Sequence, residues 1–333
     1  MTQTDVVVKL DDRIRLMSAV LAATQYPEKG QLLAPHGTHA HARATRKYLA
    51  EHTSHPVVQS TQSLLDQNTP LEALYALVML MPWPALTMSV MPPWVPAHYN
   101  EHLRDFYETT NLADFWQREK GYWDKTVQEA EHVFQDVKFK EFFKPFLGEI
   151  NEEFVFMPNI SYPADYDLGI HIGRDLICIA PPPRAWGDSP PWPYDESTMV
   201  TYSYRAAMMV YGRILLKNYL RAHAEQLKEI TQQEMPLSDQ FKAKHPTWED
   251  QFSTLFLSAT VAMYLEEHVD EREYQAYMIM EKKARGMVNL PGTVSVLRRY
   301  LQEVGSTDKY ANLIEFLPIF PKQLRVAQRI VTF

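Results

Sequence analysis

Apolar positions recur at helical spacing over most of the first 150 residues. Asp11 and Asp12 can cap a helix built on Ile14, Leu16, Met17, Val20 and Leu21, predicted to end before Pro27. A second helix is predicted from about Ala40 to Glu51. A third is predicted to begin near Pro56, because proline is tolerated in a first helical turn. The run Leu71 to Met81 is almost wholly apolar and is expected to be buried. Helical patterning resumes at Tyr99–Thr109, Leu112–Glu131 and Val137–Phe146. Phe106, Tyr107, Phe115, Trp116, Tyr122 and Trp123 recur there at helical intervals, the pattern of a packed core more than of a ligand box.

The period changes over residues 151–181. Phe154–Met157, Gly169–Ile172 and Leu176–Ile179 read as short strands of a small antiparallel sheet. Asp195, Glu196, Ser197 and Thr198 then offer a helix N-terminal signal. The helix that follows, 198–220, is apolar on nearly every face, which marks it as central. Further helices are predicted at Trp248–His268, Glu271–Gly286, Thr293–Val304 and Tyr310–Phe320. The expected fold class is α+β, predominantly α, with an N-terminal helical region (1–150) and a second domain (151–333) carrying the sheet and the central helix. Two rigid loops interrupt the pattern: 82–97, with five prolines and two tryptophans, and Pro181–Pro193. Each is either a contact surface or packed on the core.

Composition narrows the function classes. A net charge of -8 with no basic run disfavours a nucleic-acid partner. The one cysteine, Cys178, lies in an apolar strand-like run and suits a reducing compartment. The first residues lack the pattern of a signal peptide, and the longest apolar stretch is broken by Pro82 and Pro84, so a cytoplasmic protein without a membrane span is expected. No glycine-rich phosphate loop and no Gly-x-Ser-x-Gly elbow occurs.

Several blocks are distinctive in order and spacing: DDRIRLMSAVLAATQYPE (11–28), YLAEHTSHPVVQ (48–59), RDFYETTNLADFW (104–116), YQAYMIMEKKARGMVNLPGTVSVLRRYLQE (274–303) and YANLIEFLPIF (310–320). They resemble a bacterial family with a gluzincin-like zinc metallopeptidase domain. In its typical members a helical region leads into short strands and then a helix bearing His-Glu-x-x-His. The two histidines ligate zinc from one helix face and the glutamate is the general base. The corresponding stretch here is Thr201-Tyr-Ser-Tyr-Arg205. Thr201 is a poor zinc ligand, Tyr202 a weak base, and Arg205 cannot lose its proton. The third ligand, an acid on a following helix, should fall within 252–264, which holds none. The resemblance therefore implies a chain with no catalytic residue and no metal at that position.

Candidate cleft or ligand-binding residues are Thr201, Tyr202, Tyr204 and Arg205, with His171 on a predicted edge strand. Arg205 either recognises an anion, helped by Tyr202 and Tyr204, or pairs with an internal carboxylate. Pro35-His-Gly-Thr-His-Ala-His41 offers His36, His39 and His41 as a relocated zinc site, or is a solvated loop. Two functions are thus expected to compete. One is an inactive metallopeptidase-like protein that binds a protein or peptide in a regulatory or scaffolding role. The other is a hydrolase using a relocated metal or none.

Overall fold

The computed structural model describes residues 4–33, 35–185, 187–307 and 309–331. In chain order the elements are β1 (Val6–Val8), α1 (Asp12–Ala23), α2 (Tyr26–Leu33), α3 (Ala40–Tyr48), α4 (Pro56–Asp66), α5 (Leu71–Met79), α6 (Tyr99–Thr109), α7 (Leu112–Arg118), α8 (Lys120–Phe134), α9 (Phe139–Leu147), β2 (Glu153–Pro158), β3 (Leu168–Ile172), β4 (Asp175–Ala180), α10 (Val200–Ala222), α11 (Ala224–Ile230), α12 (Asp239–Lys244), α13 (Trp248–His268), α14 (Glu271–Arg285), α15 (Leu290–Thr307), α16 (Leu313–Phe316) and α17 (Phe320–Val331). The fold is α+β and predominantly α. Among the described residues no helix is long and apolar enough to cross a membrane.

The helix starts follow local chemistry. Asp11 caps α1, its Oδ1 accepting the Arg13 N–H at 2.9 Å. Pro27 does not merely end that helix; it sits in the first turn of α2, where its fixed φ suits a helix start. The predicted single helix from Leu112 to Glu131 breaks at Glu119 into α7 and α8.

The sheet has the order β1-β2-β4-β3. Its expected antiparallel character holds only for the β3–β4 hairpin; β1 with β2 and β2 with β4 run parallel. The sheet is therefore mixed. β1 was not predicted, because three valines are too short to show a period. Gly173, with φ of 61°, supplies the left-handed residue that turns β3 into β4. β2 and β4 are buried along nearly their whole length, as their unbroken apolar runs require for strands covered on both faces.

The chain forms two compact units whose limits differ from the expected break after residue 150. One comprises Met1–Val137 with Glu152–Val210, the other Lys138–Asn151 with Tyr211–Phe333. The sheet belongs with the N-terminal helices because β1 pairs with β2. In the first unit α1 is buried from Leu16 to Ala23, and Ala19, Ala22 and Ala23 let its neighbours approach closely. Leu74, Tyr75, Leu77 and Val78 of α5 share one apolar cluster with Leu168 and Ile170 of β3.

In the second unit α9 buries its phenylalanines. Phe146 lies 5.4 Å from the Phe256 ring and 5.8 Å from that of Tyr300, whose hydroxyl donates to the Pro145 carbonyl at 3.0 Å. Gly212 lets α10 approach α13: a Cβ there would stand 2.6 Å from Leu257 Cδ2 and 3.0 Å from Phe143 Cζ.

Candidate functional site

The start of α10 carries the candidate residues Thr201, Tyr202, Tyr204 and Arg205. Thr201 and Ser203 are buried, and Tyr202 is 38% exposed. Positions 201 and 205 lie four residues apart and so share one helix face. The Arg205 side chain is only 14% exposed, and its Nη1 stands 3.7 Å from Asp167 Oδ2, just ahead of β3. Of the two readings open for Arg205, this geometry accords with the ion pair, though the Asp167 side chain is 31% exposed and not internal. Tyr204 turns away from any cleft: its hydroxyl donates to the Val133 carbonyl at 3.1 Å, its ring packs 6.0 Å from Phe134, and burial raises its pKa. Asp195, expected to start the helix, instead lies 3.2 Å from His132 Nδ1, and α10 has no acid in its first turn.

β3 ends the sheet, so His171 stands on an edge strand, and it is exposed. Ile172 faces Asp175 across the turn, Ile170 faces Ile177 and Leu168 faces Ile179. A pair that closes so short a turn exchanges main-chain hydrogen bonds, and every second pair repeats them. The N–H and C=O groups of Gly169 and His171 therefore point to the outer edge. Gly169 has little room above it: a Cβ would stand 2.9 Å from Val210 Cγ1 of α10. Cys178, opposite Gly169, is fully buried, and burial pushes its thiol well up, as a core residue's would be.

The histidine-rich stretch does not converge. His36 Nδ1 lies 3.0 Å from the Gly37 carbonyl. His39 caps α3, its Nδ1 accepting the His41 N–H at 3.1 Å, and burial lowers its pKa to about 4. His41 is buried, with Nδ1 3.2 Å from Glu119 Oε2, while Nε2 accepts the Trp123 indole N–H at 3.2 Å. An indole can only donate, so Nε2 is unprotonated and the ring is neutral. Burial and the nearby Arg15 cation lower its pKa to about 3. Both ring nitrogens of His41 are thus engaged inside the protein. Among the described residues no three His, Cys, Asp or Glu side chains are grouped to hold a metal ion. Residues 35–39 form a partly exposed loop that leads into α3 through the His39 cap, and of this stretch only Ala40 and His41 lie in the helix.

The proline loops divide between their two readings. Trp83 packs 4.9 Å from the Tyr107 ring, whereas Trp94 and Trp192 are 42% and 38% exposed. Trp186 lies outside the described residues.

One further site shares only His36 with the predicted candidates. A cleft of about 660 Å³ opens in the first unit between the end of α1, α2, α3 and residues 36–38, with Tyr162 and Asp188 contributing. Arg43, Arg46 and Lys47 line it, and α3 carries no acid at all. Arg46 pairs with Glu28 of α2, and Arg43 donates to the Thr38 carbonyl. The signal in the sequence is the Arg-x-x-Arg-Lys spacing, which puts three cations on one helix face. Gly37 is needed at the rim: its N–H donates to the Gly187 carbonyl at 3.1 Å, and a Cβ would stand 1.8 Å from the Ser189 carbonyl oxygen.

Compared with known proteins, the chain matches no family model, no curated protein and no solved structure.

Proposed function

We propose that this chain is a non-catalytic, metallopeptidase-like binding protein that takes an extended peptide along the outer edge of β3. The observation that carries this reading is the pairing of an open edge with a disabled helix. Gly169 and His171 offer main-chain donors and acceptors outward, while α10 holds Thr201, Tyr202 and Arg205 where hydrolysis would need ligands and a base. The order of elements, with β2, β3 and β4 leading into a long helix, accords with the resemblance described above. An added strand gains affinity from main-chain hydrogen bonds and specificity from alternate side chains, so no catalytic group is needed. Arg205, spent on Asp167, keeps α10 against the end of β3 rather than meeting a ligand.

The test is fluorescence polarisation with a library of labelled decapeptides and the His171→Pro variant. Proline removes an outward N–H and leaves the β3–β4 ladder intact, as edge strands tolerate. Saturable binding by the native chain, lost in His171→Pro at an unchanged melting temperature, is expected. Absence of binding to any decapeptide, or equal binding by the variant, would contradict the reading.

A further inference from the structure

The cationic cleft on α3 lies apart from β3 and α10 in sequence and owes nothing to the peptide-binding proposal. Three features make it a built site. First, Arg43, Arg46 and Lys47 stand on one face of α3, in a chain whose net charge is -8. Like charges at this spacing repel, so the grouping is unfavourable until an anion meets it.

Second, the compensation within the protein is weak. Arg46 and Glu28 are 41% and 50% exposed, and an ion pair so open to water is easily exchanged for another. Among the described residues Asp188 is the only other acid on the lining, against three permanent cations.

Third, Tyr162 is 5% exposed and lines the cleft, with its hydroxyl still reachable by solvent. Burial raises its pKa, and the nearby Arg46 and Arg43 cations act against that rise. A hydroxyl that meets solvent in the cleft can donate to an anion that enters it. The floor beneath the cations is apolar, made by Ala22, Ala23 and Leu49. The volume lies within the range of small-molecule sites, roughly 300–1,000 Å³.

We propose that this cleft binds a small multivalent organic anion. Its phosphate or carboxylate groups would meet the guanidinium forks of Arg43 and Arg46 and the Lys47 ammonium, and the Tyr162 hydroxyl would donate to it. Guanidinium forks match both anion types in bidentate geometry, so the shared chemistry is adjacent negative oxygens. Glu28 competes with the ligand for Arg46 and gives it up on binding.

Isothermal titration with pyrophosphate and with citrate, at low ionic strength, tests the site and separates the two sources of negative oxygen. The native chain is expected to bind one or both saturably at one equivalent, more weakly as salt is raised. Arg43→Ala with Arg46→Ala should weaken binding at least about tenfold and Tyr162→Phe about threefold, the loss of one hydrogen bond. Glu28→Gln should tighten it, a gain that mere damage to the fold cannot produce. No saturable binding of either anion by the native chain would overturn the proposal. Affinity unchanged in the double variant, or weakened in Glu28→Gln, would overturn it equally.

Discussion

Arg205 on α10 and Arg46 on α3 bring the same guanidinium to two helices of one compact unit, with opposite consequences. Arg205 is 14% exposed and faces Asp167, so its charge is absorbed by the fold. Arg46 is 41% exposed, beside an equally open Glu28 and two further cations. Burial, not residue type, decides which charge is structural and which is available to a ligand. An arginine on an apolar central helix attracts attention as a binding residue, yet it is the ordinary surface triplet that faces a cavity.

The largest expected effect breaks this contrast at its buried end. Arg205→Ala leaves the Asp167 carboxylate beside a packed strand and is expected to cost about 1–3 kcal/mol of stability. Arg205→Met, which keeps the packing of the stem, should cost less. Arg46→Ala should stay within about 0.5 kcal/mol, as surface substitutions do. Urea unfolding of the three variants checks the difference; equal losses for Arg205→Ala and Arg46→Ala would remove the distinction.

A smaller effect concerns His41, just ahead of the cationic triplet on α3. Its folded pKa, about 3, lies below the ordinary value of about 6.5. The unfolded chain therefore takes up a proton that the folded chain refuses, and stability falls as pH drops through that window. The expected contribution is about 1 kcal/mol per pH unit between pH 6 and pH 4. In His41→Phe this part of the slope disappears, whatever the variant's absolute stability. A slope unchanged by the substitution would mean that His41 is already charged in the folded protein.

Much of the fold was legible where the cause is local. The Asp11 cap, the apolar α10, α13 over Trp248–His268 and the stop of α14 at Gly286 all follow from short-range chemistry. Gly286 has φ of 70°, the left-handed cap that glycine permits. What escaped depends on partners distant in sequence. β1 shows itself only by pairing Val6 with Phe154, and that pairing makes the sheet mixed. Asp167 becomes the partner of Arg205 only once β3 is laid beside α10. The cleft is assembled from α1, α3, Tyr162 and Asp188, and no window of sequence contains it. The surroundings of His41 depend on distant partners in the same way: Glu119, at the break between α7 and α8, and Trp123 of α8 engage its two ring nitrogens.

The claim that this scaffold binds rather than hydrolyses rests on α10, and one measurement meets it most directly. The purified full chain is incubated with zinc, desalted and assayed for bound metal by mass spectrometry, with peptide hydrolysis followed with and without chelator. The expected result is substoichiometric zinc and no chelator-sensitive hydrolysis. One equivalent of retained zinc with chelator-sensitive cleavage, both lost in a His36, His39 and His41 triple alanine variant, would contradict it.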